Sequence, residues 1–159
     1  MRKMLAKKRI ALVAHDNCKK DMIQWVEKNS ESLVGHDLIC TGTTGRMIED
    51  ALRHKYGDEA IDKVSISRLK SGPLGGDQQL GSMIAEGKID VLIFFWDAMH
   101  AQPHDVDVKA LLRIASVYNI PTAQNRSTAD FIVTSPILSK EYTPKVYDYS
   151  SYISRKIDL

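Results

Sequence analysis

Cysteine is scarce in this 159-residue chain, which holds only Cys18 and Cys40. Their spacing forms neither a metal-ligand pair nor a disulfide framework, which excludes a cross-linked secreted scaffold and fits a reducing compartment, the cytoplasm. Long apolar runs are missing as well. The longest, Val91 to Trp96, is far too short to span a bilayer and reads as a strand buried on both faces, so no membrane partner is expected. The basic start, Met1 to Arg9, is followed only by Ile10 to Ala14 before His15 and Asp16 interrupt, without the apolar stretch of a signal peptide. Neither sign of charge dominates: 22 Lys and Arg face 20 Asp and Glu, a net charge of +2 that argues against a nucleic-acid binder and leaves small anions as ligands. There is no internal repeat and no low-complexity tract.

What the chain does have is a regular alternation of short apolar runs and helical patterns. Ile10–Ala14, Leu38–Cys40, Val64–Leu69, Val91–Trp96 and Thr122–Ala123 read as strands. Helices are expected through Met22 to Asn29, around Met47 to Leu52, from Gln78 to Glu86, and after a capping Asp105, where Val108, Leu111, Leu112, Ala115 and Val117 recur at helical spacing. Ser127 is expected to cap a short helix from Thr128 to Thr134. Arg53 to Lys63 reads as a helix end plus surface loop, Lys145 to Tyr147 as a last short strand and Ser150 to Ile157 as a final helix. The expectation is one α/β domain over residues 1–159, a three-layer Rossmann-like fold around a mostly parallel five-stranded sheet. Ligands in such folds bind outside the carboxyl ends of the strands, where the polar loops of this sequence fall.

Ser71 to Gln79, Ser-Gly-Pro-Leu-Gly-Gly-Asp-Gln-Gln, has three glycines and a proline, a backbone able to press against a ligand. Its one ionisable residue, Asp77, is either a helix cap, the commoner role taken alone, or a general base. Thr41-Gly42-Thr43-Thr44-Gly45 offers amides, hydroxyls and a helix start suited to a phosphate group, or is merely a Thr-capped helix. It lacks the Gly-Lys-Ser/Thr ending of a nucleotide-hydrolysing loop. Lys19 can add positive charge there or stay a solvated lysine. His104, between Pro103 and Asp105 and near Asp107, can polarise a carbonyl, and His15 can donate to a substrate oxygen. His100 and His104 do not read as metal ligands, because Pro103 breaks any helix that would stack them.

Together the blocks Val-Ala-His-Asp (13–16), Thr-Gly-Thr-Thr-Gly (41–45), Ser-Gly-Pro-Leu-Gly-Gly-Asp-Gln-Gln (71–79), Phe-Phe-Trp-Asp (94–97) and Pro-His-Asp-Val-Asp (103–107) resemble the bacterial methylglyoxal synthase family over nearly the whole chain. The resemblance implies conversion of dihydroxyacetone phosphate to methylglyoxal and inorganic phosphate without metal or organic cofactor. It puts the catalytic base on Asp77, substrate-facing histidines on His15 and His104, and an assisting acid on Asp107. Phosphate contacts fall on Lys19, Thr41, Gly42, Thr43, Thr44, Ser71 and Gly72, with Asp16 and Asp97 around the site. A homohexamer inhibited allosterically by phosphate is implied too. Either Arg155 or Lys156 can match a C-terminal arginine of the family. Two other readings of the same fold remain: an effector-binding module like the regulatory domain of carbamoyl phosphate synthetase, and a cyclohydrolase. The module needs neither Asp77 nor His104, and no transformylase partner domain is expected here beside a cyclohydrolase.

Overall fold

The computed structural model of the chain describes residues 3–155. Five strands, β1 (Arg9–Ala14), β2 (Asp37–Cys40), β3 (Ile66–Arg68), β4 (Val91–Phe95) and β5 (Thr122–Ala123), form one sheet in the order β3-β2-β1-β4-β5. Every pair of neighbours is parallel. The expected sheet is therefore present, and it is parallel throughout. Eight helices accompany it among the described residues: α1 (Lys19–Lys28), α2 (Ser30–Leu33), α3 (Gly42–Tyr56), α4 (Asp58–Ile61), α5 (Gly76–Ala85), α6 (Asp105–Val117), α7 (Arg126–Val133) and α8 (Ser150–Ile153).

Alternation along the strands divides the core in two. Ile10, Leu12, Leu38, Ile93 and Phe95 face Met22 and Trp25 of α1, Ile48 and Leu52 of α3, and Ala129 and Val133 of α7. Ala11, Val13, Ile39, Leu92 and Phe94 face Leu80 and Ile84 of α5 and Val108, Leu111 and Ala115 of α6. Because successive strand residues point to opposite faces, all of β4 is buried, as its unbroken Val-Leu-Ile-Phe-Phe implied. Trp25, fully buried, still satisfies its indole N–H by donating to Asp130 at 2.9 Å.

Several boundaries differ from the sequence reading, each for a local reason. The helix after β2 starts at Gly42, so the Thr41–Gly45 block is a helix N-terminus rather than a loop before one. Most of the span 53–63 is helical: α3 runs to Tyr56, Gly57 turns the chain at φ 84°, and α4 follows. Asn125, not Ser127, caps α7, its side-chain oxygen accepting from the Thr128 amide at 2.9 Å. Asp105 is already inside α6, with His104 at the cap position and the Asp105 carboxylate taken by the Gln102 amide. Lys145–Tyr147 forms no strand; the tail instead makes a single antiparallel bridge between Tyr142 and Met4. The final helix ends at Ile153, and the part of that expectation beyond Arg155, Lys156 included, lies outside the described residues. No described helix is long and apolar enough to cross a membrane.

The strand order reverses direction between β1 and β4. Successive strands step outward from β1 on one side, then cross to β4 and β5 on the other, which opens a crevice at the carboxyl ends of β1 and β4.

Candidate active site

That crevice holds a cavity of about 230 Å³, walled by the segments that leave four strands. His15 follows β1 and Lys19 opens α1; Thr41, Thr43 and Thr44 follow β2; Ser71, Gly72 and Asp77 follow β3; His104 stands at the start of α6, beyond β4. The structure thus brings together these nine residues, and Asp16 with them, all singled out from sequence. Two stand just outside. Gly42 lines an adjoining basin, because a Cβ on it would meet the Ser71 backbone nitrogen at 2.9 Å and its own amide donates to the Lys70 carbonyl. Asp107, half-buried one turn into α6, reaches Asp77 only through its charge.

Asp77 is not a cap. It lies in the first turn of α5, where Gly75 occupies the cap position at φ 101°, a left-handed conformation that glycine alone adopts freely. Its side chain is 2% exposed, and neither carboxylate oxygen has a hydrogen-bond partner. Burial pushes the carboxyl above the ordinary carboxylate range; the nearby His104 charge pulls it back, and Asp107 adds to the rise. Asp77 Oδ2 lies 3.8 Å from His104 Nε2, adjacent but too long for a hydrogen bond. Gly72 makes this approach possible, since a Cβ there would sit 3.2 Å from both of those atoms.

His15 is held by the main chain. The Asp97 amide donates to its Nδ1 at 3.2 Å, so Nδ1 is the acceptor nitrogen and the proton of the neutral ring resides on Nε2. Nε2 is buried and has no partner. Burial, reinforced by the charge of His104, lowers the His15 pKa and keeps the ring neutral. Its ring stands edge-on to Phe94 and to His104, at centroid distances of 5.1 and 5.5 Å. The Asp97 carboxylate in turn accepts from Asn17 Nδ2 (2.7 Å), His100 Nδ1 (2.9 Å) and the Met99 amide (3.0 Å), a knot between the loops after β1 and β4. The Asn17 bond, then that of Met99, holds the Asp97 pKa down at about 2.

Four buried side-chain atoms among the described residues lack a hydrogen-bond partner: His15 Nε2, both oxygens of Asp77 and His104 Nδ1. All belong to this one cavity. Buried polar atoms are paired nearly everywhere in folded proteins, so such a cluster marks a place built to receive polar atoms from elsewhere. Opposite it, Thr41 and Thr44 are buried around the first turn of α3, and Thr41 makes no side-chain cap bond. The amides there and the helix dipole suit an anion. Lys19 extends to the cavity and pairs with Asp16 at 2.5 Å.

The family model for the MGS-like domain matches residues 21–124. Methylglyoxal synthase from Maridesulfovibrio salexigens is 57% identical over 153 residues, covering 94% of this chain and 98% of that protein. The chain belongs to the methylglyoxal synthase family. The methylglyoxal synthase of Proteus mirabilis is 51% identical over 98% of this chain and 96% of its own length. The crystal structure of methylglyoxal synthase from Elizabethkingia anophelis NUHP1 superposes with a TM-score of 0.86 at 50% identity, across 99% of this chain and 97% of that one.

Phe94, Pro73 and Gln102 also line the cavity and were not singled out from sequence. Phe94 could have been found from the strand alternation, which turns it to the face of Val13 and His15; Gln102, a loop glutamine, carries no such signal. Among the described residues no group of three His, Cys, Asp or Glu side chains converges to hold a metal. Cys40 is buried beneath α3 with its thiol pushed up to about 12, an inert packing residue.

Proposed function

We propose that this protein is a methylglyoxal synthase that converts dihydroxyacetone phosphate to methylglyoxal and inorganic phosphate. The observation that carries the reading is the juxtaposition of a buried, unpaired Asp77 carboxylate with His104 Nε2 across Gly72, facing an anion-suited helix start. Asp77 removes a proton from the hydroxyl-bearing carbon. The electron pair moves into the carbonyl, whose developing oxyanion takes hydrogen bonds from His104 and from the Nε2 proton of His15. The hydroxyl oxygen then becomes the aldehyde carbonyl as its proton passes to the departing phosphate, the π pair shifts to lie between the carbonyl-derived carbon and its neighbour, and the bond from that neighbour to the bridging oxygen breaks with its electron pair going to phosphate. The enolate left behind takes the proton held by Asp77 on its terminal carbon, giving the methyl group of methylglyoxal. No metal or organic cofactor enters these steps.

Asp77 suits the task because burial moves it toward neutral pH, making it a better base than an exposed aspartate. Thr41, Thr43, Thr44, Ser71, Gly72 and Lys19 grip the phosphate, with Gly42 supporting the turn and Asp107 tuning Asp77 from behind. Their geometric role is to hold the bridging carbon-oxygen bond upright from the enediolate plane, where its orbital overlaps the π system and elimination outruns reprotonation. Positioning of this kind is worth up to roughly 7 to 11 kcal/mol in well-oriented intramolecular reactions. Incubating the purified protein with dihydroxyacetone phosphate and quantifying both products tests the reading. Equal amounts of methylglyoxal and phosphate are expected, and binding without turnover would instead favour an effector module.

Three further expectations belong with this reading. A cytoplasmic setting fits the two free thiols. Assembly as a homohexamer fits the exposed apolar side chains Phe131, Val106 and Ile153, and light scattering would test it. Allosteric inhibition by phosphate belongs to the same reading, and a sigmoidal dependence of rate on substrate in the presence of phosphate would test it.

A further inference from the structure

The cavity receives a phosphate ester, on the reading above, but its own lining carries little positive charge. Its ionisable side chains are one lysine, two aspartates and two histidines, and the lysine already faces Asp16 at 2.5 Å. Asp77 is itself a carboxylate, with Asp107 behind it. A doubly charged phosphate therefore enters a pocket whose nearest cation is matched and whose base repels it. Charge compensation beyond that of Lys19 and the α3 amides has to come from outside the lining.

It stands next door. A second basin, bounded by Thr43 and Ser71 on the side shared with the cavity, is lined by Arg46 and Arg68. Arg46 is exposed on α3, and its side chain makes no ion pair or hydrogen bond among the described residues. Arg68 is fixed by packing: its side-chain stem lies over Gly45, where a Cβ would meet its Cγ at 2.8 Å. Its ion-pair partner, Glu49, is at 3.6 Å from Nε and is shared with Arg53 at 3.9 Å. Two guanidinium groups, Arg68 only loosely paired with Glu49, thus line the basin that shares Thr43 and Ser71 with the cavity.

We propose that Arg46 and Arg68 are charge-compensating residues for the phosphate dianion. They attract it and lower its dissociation constant through the field across the Thr43–Ser71 rim, without touching the reacting atoms. Coulomb attraction between a dianion and one such charge at near-aqueous dielectric is worth a few-fold in affinity, and it weakens with salt. The inference names the source of charge recognition for the proposed reaction and rests on that reading only for the identity of the substrate.

The test replaces both arginines by glutamine, which keeps the stems and removes the charge (Arg46→Gln with Arg68→Gln). Binding of inorganic phosphate at pH 8 is measured by calorimetry at low and at physiological salt, alongside steady-state kinetics. Phosphate affinity is expected to fall about tenfold at low salt and about threefold at physiological salt. KM should rise in parallel with kcat within twofold, and Arg46→Lys with Arg68→Lys should restore both. Removing two equally charged residues from the outer side of α6 (Lys109→Gln with Arg113→Gln) should leave phosphate binding within twofold. Unchanged phosphate affinity and salt dependence in the glutamine variant would overturn the proposal, as would an equal loss in the α6 control. Phosphate binding is read whether or not the protein turns over substrate, so failure of the arginine assignment and failure of the proposed reaction give different results.

Discussion

At the amino edge of the sheet, Lys8 is 2% exposed, and its ammonium donates to the carbonyls of Leu5 and Lys140, both at 2.5 Å. Beside it, the Lys8 amide donates to His36 Nδ1, and Asp90, 1% exposed, accepts from the Arg9 amide, Nε and Nη2 at 2.8, 2.9 and 2.9 Å. At the carboxyl edge, Asp77, His15 and His104 are buried to a similar degree yet leave four polar atoms without partners. The same residue types therefore meet opposite fates at the two edges. Where no ligand is expected, desolvation is offset by hydrogen bonds within the chain; where one is expected, the offset is left for the substrate to supply. Such a site is bound to cost stability, and its residues should be separable from those of the amino edge by what their removal does.

The sharpest break in that comparison is Asp77→Asn, which removes the base and keeps the shape. Its kcat should fall by roughly 10³-fold or more, with phosphate affinity within a few-fold of the parent, measured by steady-state kinetics and calorimetry. At the other edge, Asp90→Ala should leave kcat nearly unchanged and destabilise the fold. A loss of about 3 kcal/mol in denaturant unfolding is expected, the low end for breaking a buried pair because Arg9 is partly exposed. Lys19→Ala, on the phosphate side of the cavity, should raise KM about tenfold with a smaller change in kcat; an unchanged KM would remove Lys19 from the phosphate site.

Acid is a gentler probe that touches both edges. His15 and His36 have pKa values lowered first by burial, so each binds a proton more readily in the unfolded chain. Stability is then fully present above the ordinary histidine value of 6.5 and declines as pH falls from there to the lowered folded-state values. Denaturation midpoints measured from pH 8 down to pH 5 should show the decline. His15→Gln and His36→Gln should each flatten it, and a flat profile in the parent would argue against neutral buried rings.

Much of this was legible from residues alone, and the failures are instructive. The strands were readable because each is a short apolar run bounded by polar loops, and their carboxyl ends named the crevice. Asp77 taken alone reads as a cap, because an acid before a helical pattern usually is one, and only its company with His104 points to a base; in the structure Gly75, with its left-handed backbone, holds the cap position and Asp77 follows in the first turn. Asn125 outcompeted Ser127 for α7 by two residues, a choice made by which side chain reaches the Thr128 amide. The strand expected at Lys145–Tyr147 is absent, and the Lys145 carbonyl accepts instead from the Asn119 side chain. Gly42 and Asp107, expected in the site, stand beside the cavity rather than on its lining, since sequence gives the segment and not the side of the helix. The Asp97 amide that fixes His15 is a backbone group and left no trace in the pattern.

The central claim is that the carboxyl edge holds an unpaired carboxylate at the expense of stability, and the thermal midpoint of Asp77→Asn at pH 7 tests it most directly. Because the folded state raises the Asp77 pKa, its ionisation costs stability as pH rises above the ordinary value of 3.8, and the amide escapes that cost. The variant should melt higher than the parent at pH 7, an advantage that shrinks as pH falls and disappears below the ordinary carboxylate value. A midpoint lower than the parent's at pH 7 would mean that Asp77 is a paired structural residue, and would contradict the account.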